Sequence, residues 1–149
     1  MSGIRRILVA VDFSEPSQRA FDVAIGLAQK YGAELHVLHC YASHGAIVSV
    51  EGVVVPKSFD EKLRSAAARR LSAWCDKARA AGCRVEEHLS ARRPDQEISA
   101  AAERLGADLI AVGTRGLGGL RQLLLGSVAE RTVETAPCPV LTVRADDAG

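Results

Sequence analysis

The chain has 149 residues, 48% of them hydrophobic and 25% charged, with nineteen Lys and Arg against eighteen Asp and Glu for a formal net charge of +1. That length suits one domain, 1–149, with a core of ordinary size. The charge balance gives no electrostatic ground for a nucleic-acid or membrane-surface partner, and no apolar run approaches membrane-spanning length.

In chain order, Arg5 and Arg6 precede an apolar run that stops at Asp12 with no small-residue cleavage site behind it, unlike a secretory leader. The four cysteines (Cys40, Cys75, Cys83 and Cys138) form no CxxC pair, so reduced thiols and a cytoplasmic setting are expected. The first strand is predicted over Arg6–Val11, with Ile7–Val11 apolar throughout as in a central strand covered on both faces. A helix over Ser14–Tyr31 follows, with Ser14 as N-cap, Pro16 in the first turn, and Phe21, Ala24, Ile25 and Ala28 on one face. A strand over Glu34–Tyr41 comes next, then an irregular crossover over Ala42–Lys57 that packs valines downward. The helix over Ser58–Ala81 is predicted to open with the capping box Ser58–Glu61 and to bury a stripe of Phe59, Leu63, Ala67, Leu71, Trp74 and Ala78.

The remaining elements are a strand over Arg84–Leu89, a helix over Pro94–Leu105 with Ile98, Ala101, Ala102 and Leu105 inward, and a strand over Asp108–Val112, apolar throughout Leu109–Val112. A last helix over Ser127–Thr135, with capping box Ser127–Glu130, precedes a final strand over Val140–Arg144. Gly32, Gly82 and Gly106 each close a helix just ahead of a strand, as left-handed C-caps do. Strands alternating with helices predict an α/β fold with an open, doubly wound parallel sheet and helices on both faces.

Val112–Glu130 holds five of the thirteen glycines: Gly113, Gly116, Gly118, Gly119 and Gly126. The stretch starts at the carboxyl end of a central strand, where a doubly wound sheet binds ligands. Bare backbone there lets N–H groups close on an anion, and the N-terminus of the next helix adds free donors and a positive dipole end. A phosphate cradle and close packing of backbones both account for the glycines. A P-loop is excluded because no lysine follows, and no GxGxxG follows the first strand.

Gly113-x2-Gly116-x9-Gly126-Ser127 is the pattern G-x2-G-x9-G-[S/T], and here the chain resembles the universal stress protein family. The resemblance continues at "ILVAVDFSE", "LHVLHCY", "GADLIAVGTRG" and "APCPVLTVR", nearly end to end and in the family's order. It implies a Rossmann-like five-stranded sheet of order 3-2-1-4-5, a homodimer paired through the last strand, Val140–Arg144, and bound ATP. Carried over by position, Gly113, Thr114, Arg115, Gly116, Gly126, Ser127 and Val128 surround phosphates and ribose, with Gly119 in the same stretch. Asp12 faces the sugar or a nucleotide-bound Mg²⁺, and the backbone at Ala10 and Cys40 lines the adenine. One departure stands out: Arg92 occupies a position where the family usually has glycine, so it either clamps phosphate or narrows the pocket.

Asp12 lacks the companion acids of a response-regulator phosphoacceptor. His36 and His39, three apart on a strand, point to opposite faces and do not share a metal, so no metal site is expected beyond Mg²⁺ with the nucleotide. No nucleophile elbow or carboxylate pair stands out, so the signal for an enzyme is weak, and the resemblance implies a cytoplasmic ATP-binding regulator in stress adaptation with at most slow ATP hydrolysis. A dimeric protein without nucleotide and a slow ATPase or phosphotransferase are the alternatives.

Overall fold

In the computed structural model the described residues are 3–41, 57–114 and 125–145. The elements are β1 (Arg6–Ala10), α1 (Glu15–Tyr31), β2 (Glu34–Cys40), α2 (Lys57–Ala80) and β3 (Val85–Ser90), then α3 (Pro94–Leu105), β4 (Leu109–Gly113), α4 (Ser127–Thr135) and β5 (Val140–Val143). The strands form one sheet in the order β3-β2-β1-β4-β5, with every pair parallel. This is the expected doubly wound α/β architecture. The expected crossover over Ala42–Lys57 falls outside the described residues, apart from Lys57, which opens α2.

Alternation along each strand divides the core in two. Ile7, Val9, Leu35 and Val37 face α1 and α2 and are sealed with Phe21, Leu71 and Cys75. Leu8, Leu38, Ile110 and Val112 face α3 and α4, sealed with Ile98, Ala102 and Ala129. A strand buried on both faces has no polar positions to alternate, which is why β1 and β4 read as continuous apolar runs. At the amino end, Asp108 Oδ2 accepts the N–H groups of Arg5 and Arg6 at 2.9 and 3.0 Å, tying β4 to the entry of β1.

Local chemistry sets most boundaries. Ser14 caps α1 in extended conformation, although its Oγ accepts Ser17 N–H over a long 3.4 Å. Gly32 and Gly106 end α1 and α3 at φ 64°, a conformation costly for any residue with a Cβ. Two predicted capping boxes are corrected. Ser58 lies inside α2, and the N-cap of α4 is Gly126, with no side-chain cap, so Ser127 is the first helical residue. The α2 stripe is also only half right, since Leu71, Cys75 and Ala78 are sealed while Phe59 is 43% exposed. The reason is length. With 24 residues α2 runs about 36 Å at about 1.5 Å per residue, whereas the seven residues of β2 cover about 23 Å. The first turns of α2 therefore overhang the carboxyl edge of the sheet.

Candidate functional site

In this strand order the winding reverses between β1 and β4, and the crevice of a doubly wound sheet opens there, beyond the carboxyl ends. Ala10 ends β1 and Cys40 ends β2. Gly113 ends β4 and Thr114 follows it. Of the predicted site residues, Ala10, Asp12, Cys40, Gly113 and Thr114 thus share one edge of the sheet. Arg115, Gly116 and Gly119 lie outside the described residues.

Asp12 is held by a tight turn. Its Oδ1 accepts the Ser14 N–H at 3.0 Å and the Ser14 hydroxyl, and its own N–H donates to Ser17 Oγ at 3.2 Å. Among the described residues, both bonds to its carboxylate use Oδ1. The turn requires Phe13 at φ 64°, a left-handed conformation that a bulky residue adopts only when its surroundings enforce it. Those surroundings are aromatic. The Phe13 ring lies 4.4 Å from that of His39 and 5.1 Å, edge-on, from Trp74, with the Arg70 guanidinium 4.4 Å from its centre. His39 Nδ1 stands 2.8 Å from Val11 O, and since a carbonyl only accepts, Nδ1 carries the proton. Burial, opposed by that bond, pushes His39 below its ordinary 6.5. Sequence reasoning found Asp12 but not this cluster, because nothing local marks a phenylalanine for positive φ.

The glycine stretch is pinned at both ends. Thr114, 8% exposed, donates its N–H to Val143 O at 2.9 Å, and Gly126 N–H donates back to Thr114 O at 2.6 Å. The chain therefore leaves β4 and returns to α4 at one point, and Thr114 meets the start of that helix. Ser127 and Val128 are its first two residues, and Gly126 has no side chain to fold over their N–H groups. Gly113 has a packing reason for being glycine: a Cβ there would sit 2.8 Å from the backbone carbon of Pro16 and 2.9 Å from Ser17 N. Close approach of β4 to the first turn of α1 is thus the reading that applies at this one glycine.

Cys40 is chemically quiet. Burial, with Glu97 adding negative charge, pushes its thiol up to about 12. Burial also raises Cys75 to about 12 and raises Cys83 and Cys138, and all four cysteines are free thiols. Glu97, 4% exposed, is a buried acid that sequence reasoning missed. Ser90 donates its hydroxyl to Glu97 Oε2 at 2.7 Å, Arg104 lies 3.4 Å from Oε1, and Arg92 Nε lies 3.8 Å from Oε2. Its place on the same inward stripe as Ile98, Ala101 and Ala102 was the available signal. Arg92 therefore leans on Glu97 with its side chain 60% exposed. His36 and His39 face opposite sides of β2 as expected, His36 meeting His88 and His39 meeting Phe13.

Together these groups offer an anion a helix N-terminus, and a cation or sugar hydroxyl the second carboxylate oxygen of Asp12. Among the described residues, no helix is long and apolar enough to cross a membrane.

Comparison with known proteins bears on the family and the fold. Residues 3–144 match the universal stress protein family. The universal stress protein YxiE of Bacillus subtilis is 36% identical over 147 residues, covering 93% of this chain and 98% of that protein. Among solved structures, a universal stress protein in complex with cAMP superposes with TM-score 0.69 at 27% identity, covering 97% of this chain and 100% of that one. One from Archaeoglobus fulgidus in complex with dAMP has TM-score 0.69 at 26% identity, covering 93% and 97% of the two chains.

Proposed function

Since the chain belongs to the universal stress protein family, we propose that it is an ATP-binding member, a cytoplasmic regulator that holds nucleotide at the β1/β4 crevice. The observation that carries this reading is the junction of Thr114 with the start of α4, which has no side-chain cap, at the same carboxyl edge of the sheet as Asp12. Two relatives of the same fold are described with adenine nucleotides, cAMP and dAMP.

The residues fit the ligand in three ways. The N–H groups of Ser127 and Val128, with the dipole of α4, receive phosphate oxygens, and the glycines at 116 and 119 supply further backbone donors with Arg115. Asp12, with Oδ2 outside the turn's bonds, receives ribose hydroxyls or Mg²⁺. The backbone of Ala10 and Cys40 lines the adenine, Gly113 holding β4 against α1 beside it. Bound Mg²⁺ would neutralise phosphate charge. Arg92, exposed beside Glu97 just past the carboxyl end of β3, either clamps phosphate or narrows the pocket.

The site is one for holding rather than transferring phosphate. Phosphoryl transfer needs charge neutralisation on the moving group and a residue that positions water. Lys30, Lys57, Lys62 and Lys77 are the only lysines and none belongs to the glycine stretch, while Asp12 is occupied by its turn through Oδ1 and by ribose or Mg²⁺ through Oδ2. Assembly follows from the open edge of β5, paired with the same strand of a second copy across a two-fold axis.

The test is mass spectrometry of the small molecules released when the purified protein is denatured. ATP at close to one per chain is expected, and its absence after purification in nucleotide-rich lysate contradicts tight binding. Gly116→Glu, which puts a side chain and a negative charge where phosphate sits, should leave the protein folded and nucleotide-free.

A further inference from the structure

A second cluster of chemistry lies on the face of the sheet covered by α3. β2 and β3 run parallel with His36 opposite Glu86 and Leu38 opposite His88, so residues 34, 36, 86 and 88 point to the same side. His36 Nδ1 lies 2.9 Å from His88 Nε2 and 3.5 Å from Glu86 Oε2, and His88 Nε2 lies 3.8 Å from Glu86 Oε2. The two imidazoles are stacked, with centres 5.1 Å apart.

We propose that His36, His88 and Glu86 bind a divalent transition metal of the zinc type, with Glu34 orienting His36. Tetrahedral coordination with bonds of about 2.0–2.1 Å sets ligand atoms about 3.3–3.4 Å apart. The three observed separations bracket that spacing, so a metal enters with movements of a few tenths of an ångström. His36 is rigidly buried, at 4% side-chain exposure, while Glu86 at 59% and His88 at 23% open the cluster to solvent. That provides an entry path and a fourth position for water.

The surroundings suit a metal. Glu34 Oε1 is 2.5 Å from His36 Nε2, yet the contact is poorly aligned and Nε2 has no well-directed hydrogen-bond partner among the described residues. With Nδ1 on a metal, Nε2 keeps its proton beside the Glu34 carboxylate, the arrangement that orients metal-bound imidazoles in general. Glu34 and Glu86 supply two negative charges for a divalent ion, and Arg104 on α3, the nearby cation, is turned toward Glu97. Two imidazoles and a carboxylate without thiolate select zinc-like ions over Mg²⁺ or Ca²⁺. The cluster is separate from the nucleotide crevice: His36 is four residues, about 13 Å, from the carboxyl end of β2. A metal there would staple the edge strand β3 to β2.

The test is calorimetric titration of Zn²⁺ into metal-stripped, nucleotide-free protein, with Mg²⁺ as control and Co²⁺ absorption as the report of coordination geometry. One equivalent of Zn²⁺ per chain, a tetrahedral Co²⁺ spectrum, a raised melting temperature and no response to Mg²⁺ are expected. His88→Ala should weaken Zn²⁺ binding at least about tenfold, and so should Glu86→Gln, a change at an exposed side chain that does not threaten folding. No binding at micromolar protein, or binding undiminished in Glu86→Gln, overturns the proposal.

Discussion

Asp12 and Gly113 show how single residues shape the crevice. Gly113 has no room for a methyl group because Pro16 and Ser17 fill the space beside its Cα. Gly113→Ala should destabilise the protein by about 1–3 kcal/mol, the range for overpacking, because backbone rather than a flexible side chain must move. Urea unfolding checks this, and an unchanged midpoint would mean the first turn of α1 yields freely. His39 makes a second residue-scale prediction. Its folded-state pKa lies below the ordinary 6.5 of the unfolded chain, so below that pH the unfolded state binds more protons. Its contribution is therefore fully present above about pH 6.5 and is lost as pH falls through the folded value. NMR titration should place His39 below 6.5, and stability should decline from pH 7 toward pH 5.

At the scale of elements, the proposed assembly rests on β5, the edge strand. Pro139 O accepts from Ile110 of β4, and Val143 O from Thr114 just past its end. By the period of two, the N–H and C=O groups of Thr142 point away from β4 to the open edge. Thr142→Pro removes an outward donor without touching the β4–β5 ladder, and proline is tolerated at such edge positions. Light scattering should find a dimer for the natural chain and a monomer for Thr142→Pro; a natural chain that is monomeric contradicts pairing through this edge. Leu141 and Val143 are poorer probes, since Val143 is buried at 9% exposure and Leu141 packs on the same core. Element type and order were legible in the sequence because each strand and helix carries its own period and glycine or serine stops. The start of α4 was misread by one residue, because Ser127 has the chemistry of a cap but Gly126 has the extended backbone that a cap needs. What stayed hidden was non-local. Glu86 and His88 meet His36 only because β3 lies beside β2, and no window of sequence contains both. The positive φ of Phe13 depends in the same way on Trp74 and Arg70 from α2.

Across the described residues, the residues proposed to hold nucleotide gather at the carboxyl edge of the sheet, where the strand order opens a crevice. Holding every phosphate equally in ground and transition states lowers the starting energy without lowering the barrier. Single-turnover hydrolysis of ATP should therefore run well below about 1 s⁻¹, the low end of ordinary enzymes. A faster rate that vanishes in Asp12→Ala would make the protein a catalyst. Phosphate is proposed to bind at the start of α4, and Ser127→Pro tests that contact directly. Proline suits the first turn of a helix, and Gly126 at φ −64° and ψ 160° already has the extended backbone required before it. The substitution removes one N–H and one hydroxyl from the crevice and leaves the helix intact. Calorimetric titration with ATP should show the affinity of Ser127→Pro lowered about 10- to 100-fold, the loss expected for a hydrogen bond to a charged group. Unchanged affinity in a folded Ser127→Pro protein would contradict the assignment of this crevice to nucleotide.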